Sequence, residues 1–254
     1  MAGSSPLLID LLGVRDGITC VVGAGGKKSL LYRLVREHPA RVALTATVHT
    51  TRFPADLPVA RVVDDVGNLS GLVAAADRSR SVAYACPSGK PGRHAGVDPA
   101  TIRAIHDDER FVATFVKADG ARMRGIKAPS EDEPVLVPGV TTVVPVLSVG
   151  SVGEALTDRI AHRPERIEAI TGLVRGATVT PEALGRLLAS EQGGLRGAAG
   201  ADVAPVINMV DNDRREELAR AAAVAALSMT TRFDRVVLCC LKRTAEPVVA
   251  VVTR

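Results

Sequence analysis

Residues 17–37, GITCVVGAGGKKSLLYRLVRE, constrain this chain more than any other stretch. An apolar, β-branched run ends in Gly23, and a glycine-rich turn carrying Lys27 and Lys28 follows. From 29 to 37, apolar residues fall at Leu30, Leu31, Leu34 and Val35, the spacing of one helical face. Residues 41–48, RVALTATV, then read as a second strand. Strand, glycine turn, helix and strand in that order open a parallel α/β fold, because parallel neighbours need a crossover between them.

The rest of the chain continues in that style. Strands are expected at 59–63, 81–86, 111–116, 141–149 and 203–209, with a closing hairpin at 235–241 and 247–252. Asp98 reads as the cap of a short helix with Pro99 at its first position. Further helices are expected at 151–160, at 181–190 behind a Thr180 cap, and at 213–228. Residues 86–97 and 193–200 read as loops, and 117–134 as a polar segment that is neither helix nor strand.

Composition narrows the function classes. Hydrophobic residues make up 46%, with no Trp, so the core is aliphatic. The net charge of +4 is spread along the chain and few aromatics are available to stack bases, which argues against a nucleic-acid partner. No apolar run reaches the ~18 residues of a membrane span, and the first residues lack the pattern of a signal peptide. Cys20, Cys86, Cys239 and Cys240 form no CxxC pair and read as free thiols. Together these point to a cytoplasmic protein without a membrane partner.

The turn at Gly23, Ala24, Gly25, Gly26, Lys27, Lys28 and Ser29 is the first candidate site. The Walker A pattern G-x-x-x-x-G-K-[ST] is missed twice: Val21 stands where its first glycine belongs, and Lys28 follows the lysine. The physics survives better than the letters. Glycines let successive N–H groups converge on an anion, a helix start adds its positive end, and Lys27 adds a full charge. The reading is a phosphate site for ATP or GTP. The fold class expected is α/β, P-loop-NTPase-like, a mostly parallel sheet flanked by helices. It would be one domain over 1–254, with an inserted or appended helical segment around 151–200.

Several segments together resemble the YqeC family, accessory proteins of selenium-dependent molybdenum hydroxylases. They are VVGAGGKKSLLYRLV, LTATVHT, VKADGARMRGIKAPSEDEPVLVP, AHRPERIEAITGL and VTPEALGRLL. The resemblance runs from about Gly17 to Asp211 and implies a P-loop nucleotide-binding protein. It matches Gly23, Gly25, Gly26, Lys27 and Ser29 to the phosphate loop, and Thr45 and Thr47 to a threonine run. Asp119, Gly120 and Arg122 match a middle motif that continues through Lys127, Pro129, Glu131 and Glu133. His162, Arg163, Pro164 and Glu165 match a later element. Lys28 departs from the family's Thr and Lys117 from its Glu, which puts hydrolysis in doubt more than binding.

Asp119 follows an apolar strand, where a carboxylate holds magnesium or orients a nucleophile. With Lys27 and Arg122 it forms the candidate catalytic set, and with Ser29 the candidate Mg2+ site. Lys117 shares a strand face with Asp119 and is placed to pair with it. Arg122, Arg124 and Lys127 offer a cationic clamp for phosphates. Asn208 and Asp211 carry a short N-x-x-D match to base recognition in GTP-binding proteins. His49 falls on one strand face with Thr45 and Thr47. Three functions fit: an NTP-binding accessory protein, an NTPase among the options, that helps mature or insert a molybdenum cofactor; a non-hydrolysing nucleotide sensor or scaffold; and a kinase or nucleotidyltransferase acting on a pterin-like molecule.

Overall fold

The computed structural model describes residues 7–254. Its strands are β1 (Gly17–Gly23), β2 (Ala43–Ala46), β3 (Thr50–Thr51), β4 (Val59–Val63), β5 (Ser81–Ala85), β6 (Arg93–His94) and β7 (Ala113–Lys117). They continue with β8 (Ile126–Lys127), β9 (Thr142–Ser148), β10 (Ala161–His162), β11 (Asp202–Val203), β12 (Val206–Asn208), β13 (Arg235–Cys239) and β14 (Val248–Thr253). The helices are α1 (Leu8–Leu11), α2 (Lys27–Glu37), α3 (Val66–Ala75), α4 (Pro99–Asp108), α5 (Pro164–Thr171), α6 (Pro181–Ala189) and α7 (Asp213–Met229).

Ten strands form one sheet in the order β14-β13-β12-β9-β1-β7-β2-β5-β4, with β11 beside β9. Every pairing in it is parallel except β13 with β14, the expected hairpin. From β1 the chain moves to β2 on one side, returns to β7, then crosses to β9 on the other side of β1. Connections that part in this way open a crevice at the carboxyl ends of the central strands, where α/β proteins bind ligands. The glycine turn and Asp119 both lie at that edge, because β1 and β7 are adjacent parallel strands.

Each sheet face is covered. Val21, Phe115, Val144 and Val146 pack on one face with Leu30, Leu31 and Leu34 of α2 and Leu8 and Ile9 of α1. On the other face Ile18, Cys20 and Tyr84 meet α3 and α4. Farther along, Leu147, Ile207 and Leu238 meet Leu184 and Leu187 of α6 and the alanines of α7. Every residue of β9 is buried, as a strand between two helical layers requires. Leu30, Leu31 and Leu34 each contribute about 1.5–3 kcal/mol by leaving water, which fixes α2 and hence the turn that feeds it.

Several local expectations need correction. Residues 151–160 are not a helix: a 3-10 turn at Val149–Ser151 runs into Gly153 at φ 87°, and Ala155 bridges Thr178. The expected strand 203–209 is split into β11 and β12 around Ala204 and Pro205, a residue with no N–H for the ladder. Helix α2 starts at Lys27, before the apolar pattern begins. The polar segment 117–134 contains β8, paired with β10, each too short to show a period. Helices α3 and α5 were not expected from the pattern; Gly67 and Gly71 blur α3.

Candidate phosphate-loop site

Gly25 at φ 79° and Gly26 at φ 140° turn the chain from β1 into α2, in a region of backbone space that glycine enters freely. Space demands glycine as well. A Cβ on Gly25 would lie 2.6 Å from Ser148 Cβ, and one on Gly26 would collide with the Asn208 amide. The first backbone donors of the turn are engaged by the protein itself. Gly23 N–H donates to Asp119 Oδ2 at 2.8 Å, Ala24 N–H to the Val146 carbonyl at 2.7 Å, and Gly25 N–H to the Arg124 carbonyl at 3.1 Å. No side chain caps α2, so its N-terminal donors and positive dipole end face the crevice.

Lys27 is buried, and its ammonium lies 2.8 Å from Asp119 Oδ1 while donating to the Gly23 carbonyl. Burial holds its pKa below the ordinary lysine value, against the opposing pull of Asp119. Asp119 Oδ2 also lies 2.8 Å from Lys127 Nζ, which donates to the Gly120 carbonyl at 2.7 Å and to Glu133 Oε2 at 2.6 Å. Arg163 Nη1 donates to the same Glu133 oxygen at 2.7 Å. A chain of ion pairs therefore runs from Lys27 through Asp119, Lys127 and Glu133 to Arg163. Burial alone would raise the Glu133 carboxyl, but the hydrogen bonds and charges of Lys127 and then Arg163 outweigh it and hold it at about 2. The same surroundings, burial first and then Arg163 and Lys127, push His162 down to about 4, so the imidazole is neutral at neutral pH.

The other sequence candidates separate. Lys117 does not pair with Asp119; it donates to the His49 carbonyl at 2.9 Å. Burial, then repulsion from Lys27, lowers its pKa to about 7 against the pull of Asp119. Lys28 donates to Thr51 Oγ1 at 3.2 Å and makes no ion pair with Asp119. Ser29 and His49 are exposed. Thr47 Oγ1 donates to the Val135 carbonyl at 2.7 Å, tying the second strand's end to the polar segment. Arg122 is exposed on a turn with φ 45° and makes no ion pair among the described residues.

Asn208 and Asp211 have different jobs. Asn208 Nδ2 donates to the Gly25 carbonyl at 2.8 Å and its Oδ1 accepts from Leu241 N–H at 3.1 Å, so this buried amide braces the turn from below. Asp211 is engaged by Arg215 at 2.6 Å and Lys242 at 2.7 Å. Met209 stands between them, exposed and at φ 67°.

With this geometry in view, the comparisons carry weight. Residues 19–165 match the family described as YqeC protein, more than half of the chain. The chain belongs to the YqeC family. It is also 29% identical over 198 residues to "Uncharacterized protein YqeC" of Escherichia coli (strain K12), covering 76% of this chain and 75% of that protein. The family match spans the turn, Asp119, Lys127, Glu133 and Arg163, whereas Asn208 and Asp211 lie beyond it.

The site suits an anion better than a metal. Asp119 Oδ1 and Oδ2 each lie 2.8 Å from a lysine ammonium, so both carboxylate oxygens are already matched by cations. Mg2+ is held by one or two carboxylates together with phosphate oxygens. Here Asp119 is the one carboxylate at the turn, and two ammonium groups already compete for it. No cluster of three or more His, Cys, Asp or Glu residues with metal-holding geometry occurs among the described residues. No helix there is long and apolar enough to cross a membrane. Sequence reasoning missed the Lys127–Glu133–Arg163 link. Its signal was the family resemblance, which matches Lys127, Glu133 and Arg163 to two separate motifs; the pairing of β8 with β10 brings those motifs together.

Proposed function

We propose that this protein binds a nucleoside triphosphate, ATP or GTP, with the phosphates at the start of α2. We further propose that it serves a selenium-dependent molybdenum hydroxylase, or the molybdenum cofactor of that enzyme, as an accessory protein. The observation that carries the binding reading is the buried Lys27–Asp119 pair beside an uncapped helix start. Burial disfavours the Lys27 ammonium, and one carboxylate compensates it. An arriving phosphate supplies the same countercharge and also meets the helix N–H groups, so Lys27 can exchange partners without being left alone. The accessory role rests on family resemblance.

Binding without turnover is the favoured form. Both Asp119 oxygens contact ammonium groups, so the carboxylate is not free as a base. Lys28 stands where a metal-binding hydroxyl follows the lysine in the Walker pattern. This supports a nucleotide sensor or scaffold over an NTPase. Calorimetry with ATP and GTP, each with and without Mg2+, tests the reading alongside a phosphate-release assay. At least one nucleotide should bind. Lys27→Ala should weaken it by about tenfold or more, since a charge-assisted contact is worth ~1.5–3 kcal/mol, and Lys28→Ala should weaken it less. Absence of binding by both nucleotides at millimolar concentration refutes the proposal. Lys27-dependent phosphate release refutes the sensor form of it.

A further inference from the structure

Beside the phosphate loop lies a groove of about 460 Å³, lined by Arg52, Phe53, Arg61, Arg93 and His94, with Val63, Pro87 and Ser88 completing the wall. No carboxylate lines it among the described residues. We propose that this groove binds a small phosphorylated molecule, its phosphate held by Arg52 and Arg93 and its flat part against His94.

The local build supports that assignment. The two-stranded ribbon of β3 and β6 sets Thr51 opposite Arg93 and Thr50 opposite His94. Arg52 N–H donates to the Gly92 carbonyl at 3.2 Å, which fixes where the Arg52 side chain leaves the ribbon. The His94 ring sits tilted on Phe53 with centroids 5.2 Å apart, giving the groove a flat floor. Arg61 is spent on structure: it donates to the carbonyls of Ala55 and Leu57 at 3.0 Å and also to that of Pro54. The Arg52 and Arg93 guanidinium groups make no side-chain hydrogen bond or ion pair among the described residues, although most other arginines of the chain are engaged. Repulsion from Arg93 adds to burial in lowering the pKa of Lys28, and Arg52 acts likewise on His94, so the field here is of one sign.

Concave fields of one sign concentrate the opposite charge, and guanidinium groups match the geometry of phosphate. The volume falls within the range of about 300–1,000 Å³ typical of small-molecule sites. A single partly buried imidazole is a poor platform for a nucleic-acid strand, which needs successive stacking faces. Lys28 donates to Thr51 Oγ1 at 3.2 Å, which ties the ribbon to the first turn of α2. Binding in the groove does not depend on a nucleotide at the loop.

Phenyl phosphate is the probe, titrated calorimetrically into the full chain. It should bind wild type and Lys27→Ala with equal affinity. The double variant Arg52→Gln/Arg93→Gln should bind it about tenfold or more weakly, with thermal melting unchanged, because both side chains are exposed and unpaired. His94→Ala should weaken phenyl phosphate more than inorganic phosphate. Equal binding by the double variant overturns the proposal, as does loss of the probe in Lys27→Ala, which would put it on the loop. So does tighter, arginine-dependent binding of a 12-residue oligonucleotide. Nucleotide affinity is measured on the same variants. Its loss in Lys27→Ala alone concerns the loop, so the two readings fail separately.

Discussion

Lys27 and Lys28 are neighbours in the first turn of α2, yet they enter opposite electrostatic settings. Lys27 ends in a buried chain that alternates cations with carboxylates: Lys27, Asp119, Lys127, Glu133, Arg163. Lys28 reaches Thr51, the ribbon partner of Arg93, and among the described residues Arg52 and Arg93 make no ion pair with a carboxylate. In the first region each charge needs its neighbour, because a lone ion in a low-dielectric interior costs several kcal/mol. In the second, water solvates the arginines, and their charge remains available to a ligand. The lesson is that charge can be held as structure or held in reserve, and that the two uses answer to different measurements. Stability reads the first, affinity the second.

Asp119→Ala gives the largest expected effect. It strands Lys27 and Lys127 in the interior and should cost about 3–5 kcal/mol, measured by urea denaturation. Asp119→Asn, which keeps an acceptor for Gly23 N–H, should cost less. A loss below ~1 kcal/mol, the level of an exposed pair, would erase the contrast between the two regions. Asn208→Ala comes next. It leaves the Gly25 carbonyl and Leu241 N–H without partners and should cost about 1–3 kcal/mol, with weaker nucleotide binding as the loop loses its brace.

Glu133 sharpens the comparison through pH. Its folded-state pKa of about 2 lies below the ordinary value of 4.5, so its contribution to stability is present above pH 4.5 and is lost as pH falls toward 2. Glu133→Gln should flatten that part of the acid-unfolding curve, and an unchanged curve would show that Glu133 is not coupled to Lys127 and Arg163. Arg52→Gln should be the mildest, within about 0.5 kcal/mol of wild type in melting experiments, as for surface positions with no partner. A larger loss would mean that the groove arginines are structural after all.

Much of the fold was legible because its signals are local. The run at 17–23 and the strand at 59–63 appear with the same bounds in the structure, and Asp98 and Thr180 cap their helices by accepting from Thr101 and Ala183 N–H. The closing hairpin was legible for the same reason. The missed parts depend on contacts between distant residues. Strands β8 and β10 are two residues each and exist because they pair with one another. Lys27, Lys127 and Arg163 look alike as isolated cations, and only the folded chain shows which carboxylate each one meets. The groove was invisible for the same reason: its arginines are separated by 40 residues of loop, strand and helix, and both line it only because β3 pairs with β6.

The central claim is that Lys27 changes partner when a nucleotide binds. The direct measurement is a crystal structure of the full chain with saturating ATP or GTP, chosen by affinity. The account predicts a phosphate oxygen within hydrogen-bonding reach of Lys27 Nζ and of the first N–H groups of α2, with the ammonium drawn off Asp119 Oδ1. A nucleotide bound elsewhere, with Lys27 still seated on Asp119, would contradict it.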